Sequence, residues 1–178
     1  MAIEIERKFL VRAQAWERAH AGVAGTRFRQ GYLSTEANRT VRVRVAGGEA
    51  WLTIKGEPQG KARLSRLEFE YEIPVQDAHI LLDELATGIV IDKVRRVLDV
   101  GGTVWELDEF HGANAGLLVA EVELAAEDAP FVKPDWLGDE VSADARFANS
   151  RLSSVPFSEW TAVDKERVRL GIAPDLPG

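Results

Sequence analysis

The sequence predicts an α+β protein that is mainly β and contains about eight strands. Apolar and polar residues alternate with period two over most of the first 124 residues, as is typical of strands with one buried face. Gly47-Gly48-Glu49 and Gly101-Gly102 separate such segments, where short hairpin turns require positive φ angles. The predicted strands cover residues 3–11, 28–33, 40–46, 50–56, 66–73, 91–100, 104–110 and 117–124.

Helices are predicted where the period changes. Residues 76–87 place Ala78, Leu82 and other apolar residues at helical spacing, and Gly88 follows as a stop signal. Residues 13–21 are expected to form a short helix with Trp16 on its buried side. These helices would flank the strands.

The last third of the chain is predicted to be irregular and then helical. Residues 128–136 contain two prolines and should form no regular element. Ser142 is the expected N-cap of a helix that ends at Leu152, and Ser158 that of a second helix closed by Gly171. The second helix should present one face with Trp160, Val163, Arg167 and Leu170.

Composition excludes several classes of function. The 178 residues carry 22 Lys and Arg against 29 Asp and Glu, a formal net charge of -7. This balance argues against nucleic-acid binding, which needs surplus basic charge. There are no cysteines, which excludes disulfides, zinc-thiolate sites, iron–sulfur ligation and cysteine nucleophiles. Three widely spaced histidines argue against a multi-histidine metal site.

The sequence also bears on location and assembly. No apolar run approaches the ~18–20 residues that span a bilayer, so no membrane association is expected. The N-terminus is charged from Glu4 onward, unlike a secretory signal, and we expect a cytoplasmic protein. A homodimer is compatible with the sequence, which does not fix the oligomeric state.

Charges of one sign cluster within each strand, and the sign changes between strands. The third strand, for example, places Arg42 and Arg44 on one face, whereas the eighth places Glu121 and Glu123 together. An ordinary solvated face is one interpretation of this alternation. The other is that eight strands close into a barrel with these charges lining a wet lumen. Arg66 is expected on the outward face of its strand.

A charged lumen would need a ligand, because burying so many charges alone is very costly. Carboxylates without nitrogen or sulfur ligands suit Mg²⁺ or Mn²⁺. Lysine and arginine suit phosphate oxygens, which arginine can bind with two hydrogen bonds. The two residue classes together indicate a metal-bound polyphosphate.

Glu4-x-Glu6-x-Lys8 resembles the signature of the CYTH superfamily, the triphosphate tunnel metalloenzymes. The resemblance continues in order over roughly residues 2–150, through Arg42-x-Arg44, Lys55, Glu68-x-Glu70, Lys93-x-Arg95, Asp108 and Glu121-x-Glu123. It implies a closed eight-stranded antiparallel barrel that forms a tunnel, with a C-terminal helix closing it. It also implies one domain over residues 1–154, followed by a helical tail, residues 155–178, that is not an independent domain.

The resemblance implies roles residue by residue. The metal-binding carboxylates would be Glu4, Glu6, Glu121 and Glu123, with Glu68, Glu70 and Asp108 holding a second metal or its waters. The phosphate-binding residues would be Lys8, Arg42, Arg44, Lys55 and Arg95. A tyrosine at Tyr32 and lysines at Lys8 and Lys93 are linked, in some short bacterial members, to preference for inorganic tripolyphosphate. Tyr32 could instead only pack in the barrel, and Lys93 could be one more phosphate ligand.

One segment departs from the family pattern. Related sequences often read D-x-R-Y-K-N near the C-terminus, and this chain has Asp144-Ala145-Arg146-Phe147-Ala148-Asn149. Arg146 therefore stays a candidate phosphate ligand, while one basic contact is missing at Ala148.

The expected function is metal-dependent hydrolysis of a triphosphate, with Mg²⁺ or Mn²⁺ as cofactor. Inorganic tripolyphosphate, cleaved to pyrophosphate and phosphate, is the favoured substrate. The alternatives are a class IV-type adenylate cyclase, a nucleoside or thiamine triphosphatase, and a non-catalytic polyphosphate-binding module.

Overall fold

The computed structural model describes residues 3–36, 38–59 and 65–175, and within these ranges nine strands form one sheet. The strands are β1 (Ile3–Val11), β2 (Thr26–Glu36), β3 (Arg39–Ala46), β4 (Glu49–Gly56), β5 (Ser65–Glu72), β6 (Thr87–Val100), β7 (Thr103–Phe110), β8 (Leu118–Glu123) and β9 (Leu137–Glu140). Neighbours run antiparallel in the order β5-β4-β3-β2-β6-β7-β8-β1-β9. Ile3 of β1 also pairs with Leu67 of β5. This pairing closes eight strands into a barrel, as predicted, and β9 lies outside the ring beside β1.

The helices are short and lie around the barrel. They are α1 (Trp16–Ala19), α2 (Val75–Ile80), α3 (Asn149–Leu152) and α4 (Ala162–Arg169). A π-helical turn, Leu81–Leu85, continues α2, and 3-10 turns occur at Ala13–Ala15, Gly112–Asn114, Ala145–Phe147 and Phe157–Glu159. Within the described ranges, every helix is too short or too polar to cross a membrane.

The largest apolar cluster covers the outer faces of β1, β7 and β8. Phe9, Leu107 and Val122 point out of the barrel and are almost fully buried. Trp16 of α1 and Trp136 from the segment before β9 pack over them. Burying each such side chain contributes roughly 1.5–3 kcal/mol, so this packing holds the barrel wall in place from outside.

A second outer cluster lies under α2. Ala78 and Leu82 pack against Val43 of β3 and Ala50 of β4. Gly31 of β2 permits this approach, since a Cβ there would lie 2.9 Å from the Leu82 side chain. The glycine therefore sets how closely the helix approaches the sheet.

One end of the barrel is closed by apolar side chains. Leu10, Ile91, Phe110 and Val119 occupy inward-facing positions at that end and are buried. Residues 144–175, which we call the closing segment, pack over them through Phe147, Leu152, Phe157 and Val168. The closed end confines the charged part of the lumen to the middle and the opposite end of the barrel.

The predicted helix over residues 142–152 is wrong. Ser142 caps no helix there, because its hydroxyl oxygen accepts a hydrogen bond from the Lys8 amide at 2.9 Å and its O–H donates to Glu140. Ala148 is extended, with φ -68° and ψ 133°, and separates a 3-10 turn from α3. Ser142 is thus engaged with β1 and β9, and Asp144 caps only the 3-10 turn by accepting a hydrogen bond from the Arg146 amide.

Two other helix boundaries differ from the predictions. The helix after β5 ends at Leu85, and Gly88 belongs to β6 with φ +73°. Thr161, not Ser158, caps α4 by accepting a hydrogen bond from the Asp164 amide. The predicted apolar face of α4 is also wrong: Val163 is 69% exposed, and Val168 is the residue that is buried.

Candidate active site in the barrel lumen

The barrel lumen contains a cavity of about 360 Å³, within the usual range of ligand sites. Seven basic side chains line it: Lys8, Arg42, Arg44, Lys55, Arg66, Lys93 and Arg95. Seven acidic side chains face them: Glu4, Glu6, Glu68, Glu70, Glu106, Glu121 and Glu123. The lumen is therefore densely charged but balanced in sign.

Strand register brings these residues together. Every second residue of a strand points inward, and antiparallel pairing places the inward residues of neighbouring strands side by side. Lys8 lies opposite Glu121, and Lys55 lies opposite Glu68. The alternating charges of separate strands thus become rows of opposite charge around the lumen.

Glu4 lies in a cluster with two cations and a second acid. Lys55 Nζ is 2.7 Å from Glu4 Oε2 and 3.0 Å from Glu68 Oε2. Arg66 Nε donates to Glu4 Oε2 at 3.0 Å. Burial favours the neutral acid, but Lys55 and Arg66 outweigh it and lower the pKa of Glu4 to about 2. Glu4 is therefore a carboxylate at neutral pH.

Glu6, Lys8 and Glu121 form a second cluster on β1 and β8. Lys8 Nζ is 2.9 Å from Glu121 Oε1 and 3.6 Å from Glu6 Oε1. Burial and then the Glu121 charge raise the pKa of Glu6. Burial opposes ionisation of Glu121, but Lys8 and Arg95 hold its pKa well below the usual range. Glu6 is therefore the carboxyl of this cluster that holds a proton more readily, and a bound cation would favour its ionised form.

Lys93, Arg95 and Asp108 form the most deeply buried ionic group. Lys93 Nζ lies 2.5 Å from Asp108 Oδ2, and Arg95 Nε donates to Asp108 Oδ1 at 2.7 Å. Arg95 also donates to Glu121 at 2.6 Å and to Glu106. Burial and the neighbouring Arg95 lower the pKa of Lys93 although Asp108 opposes them. Asp108 therefore holds both cations at the lumen surface.

Arg42 and Arg44 project from β3 with free hydrogen-bonding capacity. Both guanidinium groups contact Glu70, at 3.4 Å and 3.1 Å. Among the described residues, the Nε atoms of both arginines are buried and make no hydrogen bond. The Oδ1 atom of Asn149 is buried and unbonded in the same sense. Unbonded buried polar atoms around one cavity indicate that a polar ligand completes the site.

Three predicted site residues are placed less directly than expected. Asp108 does not line the cavity but lies behind Lys93 and Arg95, fully buried. Arg146 is not among the lining residues, because its guanidinium donates to Asp144 and to the carbonyls of Pro174 and Asp175. Glu123 lines the cavity at an exposed position. The structure brings the other predicted residues together around the lumen.

Arg66 corrects one expectation. It lines the lumen instead of facing outward, because residues 66, 68 and 70 share one face of β5. Arg66 and Glu68 are two residues apart in β5, and this spacing is the sequence signal that predicts Arg66 on the lumen side. The lining residues without a predicted role are Phe28, Gln30, Thr40, Glu106, Ala148, Asn149 and Ser150. All of them except Glu106 are uncharged, and the alternation of charges along a strand does not reveal them.

The chemistry of the acidic set fits a divalent cation. Glu6 lies opposite Glu123 in the β1–β8 register, and the negative charge of Glu121 acts on Glu6 and raises its pKa. In the described part of the chain, no three acidic or histidine side chains converge into a ready-made metal cluster, because the carboxylates are paired with lysine and arginine. A cation carried in with phosphate oxygens would exchange these ion pairs, since the carboxylates can bind the cation and the lysines and arginines can bind the phosphate.

The comparisons with known proteins agree with this geometry. The chain matches the CYTH domain family over residues 2–156. It is 44% identical over 160 residues to an inorganic triphosphatase of Acetivibrio thermocellus. The aligned region covers 90% of this chain and 99% of that protein. An inorganic triphosphatase of Nitrosomonas europaea is 38% identical over 160 residues, and the aligned region covers 86% of this chain and 99% of that protein.

A solved structure shows the same fold. The crystal structure of the inorganic triphosphatase NE1496 superposes with a TM-score of 0.59 at 33% identity, over 86% of this chain and 95% of that chain. The family match spans most of the chain and all the strands that carry the lumen charges. The chain therefore belongs to the CYTH domain family.

Proposed function

We propose that the protein is a divalent-metal-dependent hydrolase that cleaves inorganic tripolyphosphate to pyrophosphate and phosphate. The observation that carries this proposal is the balanced lumen, in which seven acidic and seven basic side chains share one cavity. Proteins at 44% and 38% identity are named inorganic triphosphatases. A pure anion site would not need this many carboxylates.

The basic side chains bind the phosphate chain in this proposal. Arg42 and Arg44 have the unbonded Nε atoms, and arginine can donate two hydrogen bonds to one phosphate group. Lys8, Lys55 and Arg95 also reach the cavity, and Arg66 joins this set. Asp108 is assigned to holding Lys93 and Arg95 in place. Arg146, which does not line the cavity, is assigned to fixing the closing segment through Asp144.

Membership of the family implies a requirement for a divalent cation, and we propose Mg²⁺ or Mn²⁺. Glu4, Glu6, Glu121 and Glu123 would hold it, with Glu68 and Glu70 holding a second ion or its waters. Such an ion neutralises phosphate charge and favours attack by water. The donors are oxygen atoms, which suits both ions.

The residues of the chain then supply position and charge for an in-line attack on a terminal phosphorus. Cations on β3 and β6 fix the phosphate chain and stabilise the charge that develops as the bond to the leaving pyrophosphate breaks. Lys93 is fully buried and Tyr32 lies in the same cavity, so both are assigned to assisting departure. Burial raises the pKa of Tyr32, which keeps its hydroxyl protonated as a donor.

The alternative functions have less support. A cyclase or a nucleoside triphosphatase needs a pocket for a base, and a thiamine triphosphatase needs one for a ring. No observation of the lumen favours either. A binding module would need the basic set but not the acids. A cytoplasmic location and a homodimer stay predictions from the sequence.

The test is phosphate release from tripolyphosphate and from ATP, each with Mg²⁺, with Mn²⁺ and with chelator. We expect rapid metal-dependent cleavage of tripolyphosphate and little turnover of ATP. Glu4→Gln should reduce the metal-dependent rate at least ~100-fold, because it removes a ligand charge and releases Lys55 and Arg66. Glu109→Gln is the matched control, since Glu109 pairs with Arg96 and does not line the cavity. Full activity of Glu4→Gln, or cyclic AMP formed from ATP, would contradict the proposal.

A further inference from the structure

The lumen-facing side of β2 is an uncharged strip between two strands that carry basic residues. The strand pairs with β3, which carries Arg42 and Arg44, and with β6, which carries Lys93 and Arg95. Its own residues that line the cavity are Phe28, Gln30 and Tyr32. The cations on either side of this strip therefore face each other across neutral side chains.

Phe28 is in contact with three of these cations. The Cζ atom of Arg44 lies 5.5 Å from the ring centre, the Nζ atom of Lys93 5.9 Å and the Cζ atom of Arg95 5.6 Å. Arg44 also lies 4.9 Å from the centre of the Trp51 ring. All three cations fall within the ~6 Å over which an aromatic ring attracts a positive charge.

An aromatic ring holds a cation differently from a carboxylate. A carboxylate accepts the N–H groups and neutralises the charge, whereas a ring attracts the cation through its negative face. Arg44 shows the consequence: among the described residues its Nε–H is buried and has no acceptor. The ring thus adds a contact to a cation that also pairs with Glu70, and it leaves the Nε–H of that cation without an acceptor.

We propose that Phe28 is a positioning residue, which holds Arg44, Lys93 and Arg95 in the geometry that binds the phosphate chain. This inference rests on the proposed function and adds to it a residue with no charge and no polar atom. Lys93 and Arg95 also pair with Asp108, and Arg44 pairs with Glu70. Phe28 adds to these ion pairs a contact that spans β3 and β6, and it brings no further negative charge into the lumen.

The test is a series of fluorinated phenylalanines introduced at position 28. Each added fluorine withdraws charge from the ring face while the shape of the side chain changes little. We expect the affinity for tripolyphosphate, measured by calorimetry with chelator present, to fall stepwise with the number of fluorines. Phe28→Leu should weaken binding about tenfold and raise KM more than it lowers kcat, and Phe28→Tyr should stay within about threefold of the wild type.

The control is the same series at Phe69, which is 44% exposed on the outer face of β5 and should not affect binding. If affinity is independent of fluorination at position 28, or if Phe28→Tyr is as weak as Phe28→Leu, Phe28 does not act through its ring and the inference is wrong. Turnover of tripolyphosphate by the wild type tests the proposed function separately, because binding is measured without metal and without reaction.

Discussion

The environment of Lys93 is suited to proton transfer. Its side chain is almost inaccessible to solvent, and burial with the nearby Arg95 lowers its pKa below the usual lysine range. Asp108, at 2.5 Å, keeps the ammonium group in place. A lysine whose pKa is lowered in this way releases a proton more readily than a lysine in water.

Lys93→Arg should therefore change the pH dependence of the reaction. The active form of Lys93 is protonated, so kcat/KM of the wild type should fall as the pH rises through its lowered pKa. Arginine keeps the charge but does not titrate in this range. We expect a ~10- to 100-fold lower rate in the variant and a basic limb moved to higher pH. Measurement of kcat/KM from pH 7 to 11 checks this. An unchanged basic limb would show that another group controls it.

Glu4 should make the stability of the protein depend on pH. Its pKa in the folded protein is about 2, below its unperturbed value of 4.5. A carboxyl whose pKa is lowered by folding stabilises the fold above its unfolded pKa, and this contribution disappears as the pH falls through the folded pKa. Glu4→Gln should thus be about 3 kcal/mol less stable than the wild type at pH 7. Urea unfolding at pH 7, 4 and 3, without metal, should show this difference shrinking. A difference that stays constant would contradict the assignment.

At the scale of elements, the start of β6 is fixed against the closing segment. Ile89 N donates to the Ser153 carbonyl oxygen at 2.8 Å. Gly88 has φ +73°, and a Cβ there would lie 2.3 Å from the same oxygen. This contact joins the strand that carries Lys93 and Arg95 to the segment that closes the barrel.

Gly88→Ala should therefore destabilise the protein strongly. The positive φ costs an alanine about 1–2 kcal/mol, and the collision with a backbone oxygen forces a further shift. We expect a loss of about 3 kcal/mol in the free energy of unfolding, measured with urea. Gly102→Ala is the matched control: φ is +84°, but a Cβ there has no neighbour within 4 Å in the described structure, so the loss should be only about 1 kcal/mol. If both variants lose the same free energy of unfolding, the close approach of Gly88 to Ser153 does not contribute to the effect.

Strand alternation predicted the strands and the faces of their charged residues, whereas the closed barrel was implied by the family resemblance. Period two shows which residues share a face, so Arg42 with Arg44 and Glu121 with Glu123 could be paired without a structure. β9 was missed because its four residues, Leu137–Glu140, show no clear alternation and pair with β1 only at Phe9 and Val11. The helix over 142–152 was predicted wrongly because its capping signal, Ser142, binds another strand. Contacts between distant segments decide such cases, and local patterns do not contain them.

At the scale of the whole molecule, the closing segment and the barrel share one core. Phe157 and Val168 belong to the same buried cluster as Leu10 of β1 and Ile91 of β6. Because this cluster joins both ends of the chain, we propose that the predicted tail, residues 155–178, is not an independent domain, although residues 176–178 lie outside the described ranges. The apolar closure at one end also leaves a single charged region in which substrate and metal would meet.

Because acids and bases in the lumen neutralise each other, ligand binding should stabilise the fold much more when both parts of the ligand are present than when either is alone. Tripolyphosphate alone would compete with the carboxylates for the cations, and metal alone would compete with the cations for the carboxylates. Together they satisfy both sets, and a ligand that binds only the folded state at 100 times its Kd adds about 2.7 kcal/mol. For a chain of this size we therefore expect Tm to rise by roughly 5–10 °C with tripolyphosphate and a divalent ion together, tested with Ca²⁺ after phosphate release has been measured under the same conditions. Each component alone should raise it much less.

Thermal unfolding followed by circular dichroism measures the three cases, and Glu4→Gln should lose most of the combined effect. Equal stabilisation by tripolyphosphate alone would show that the carboxylates take no part in binding.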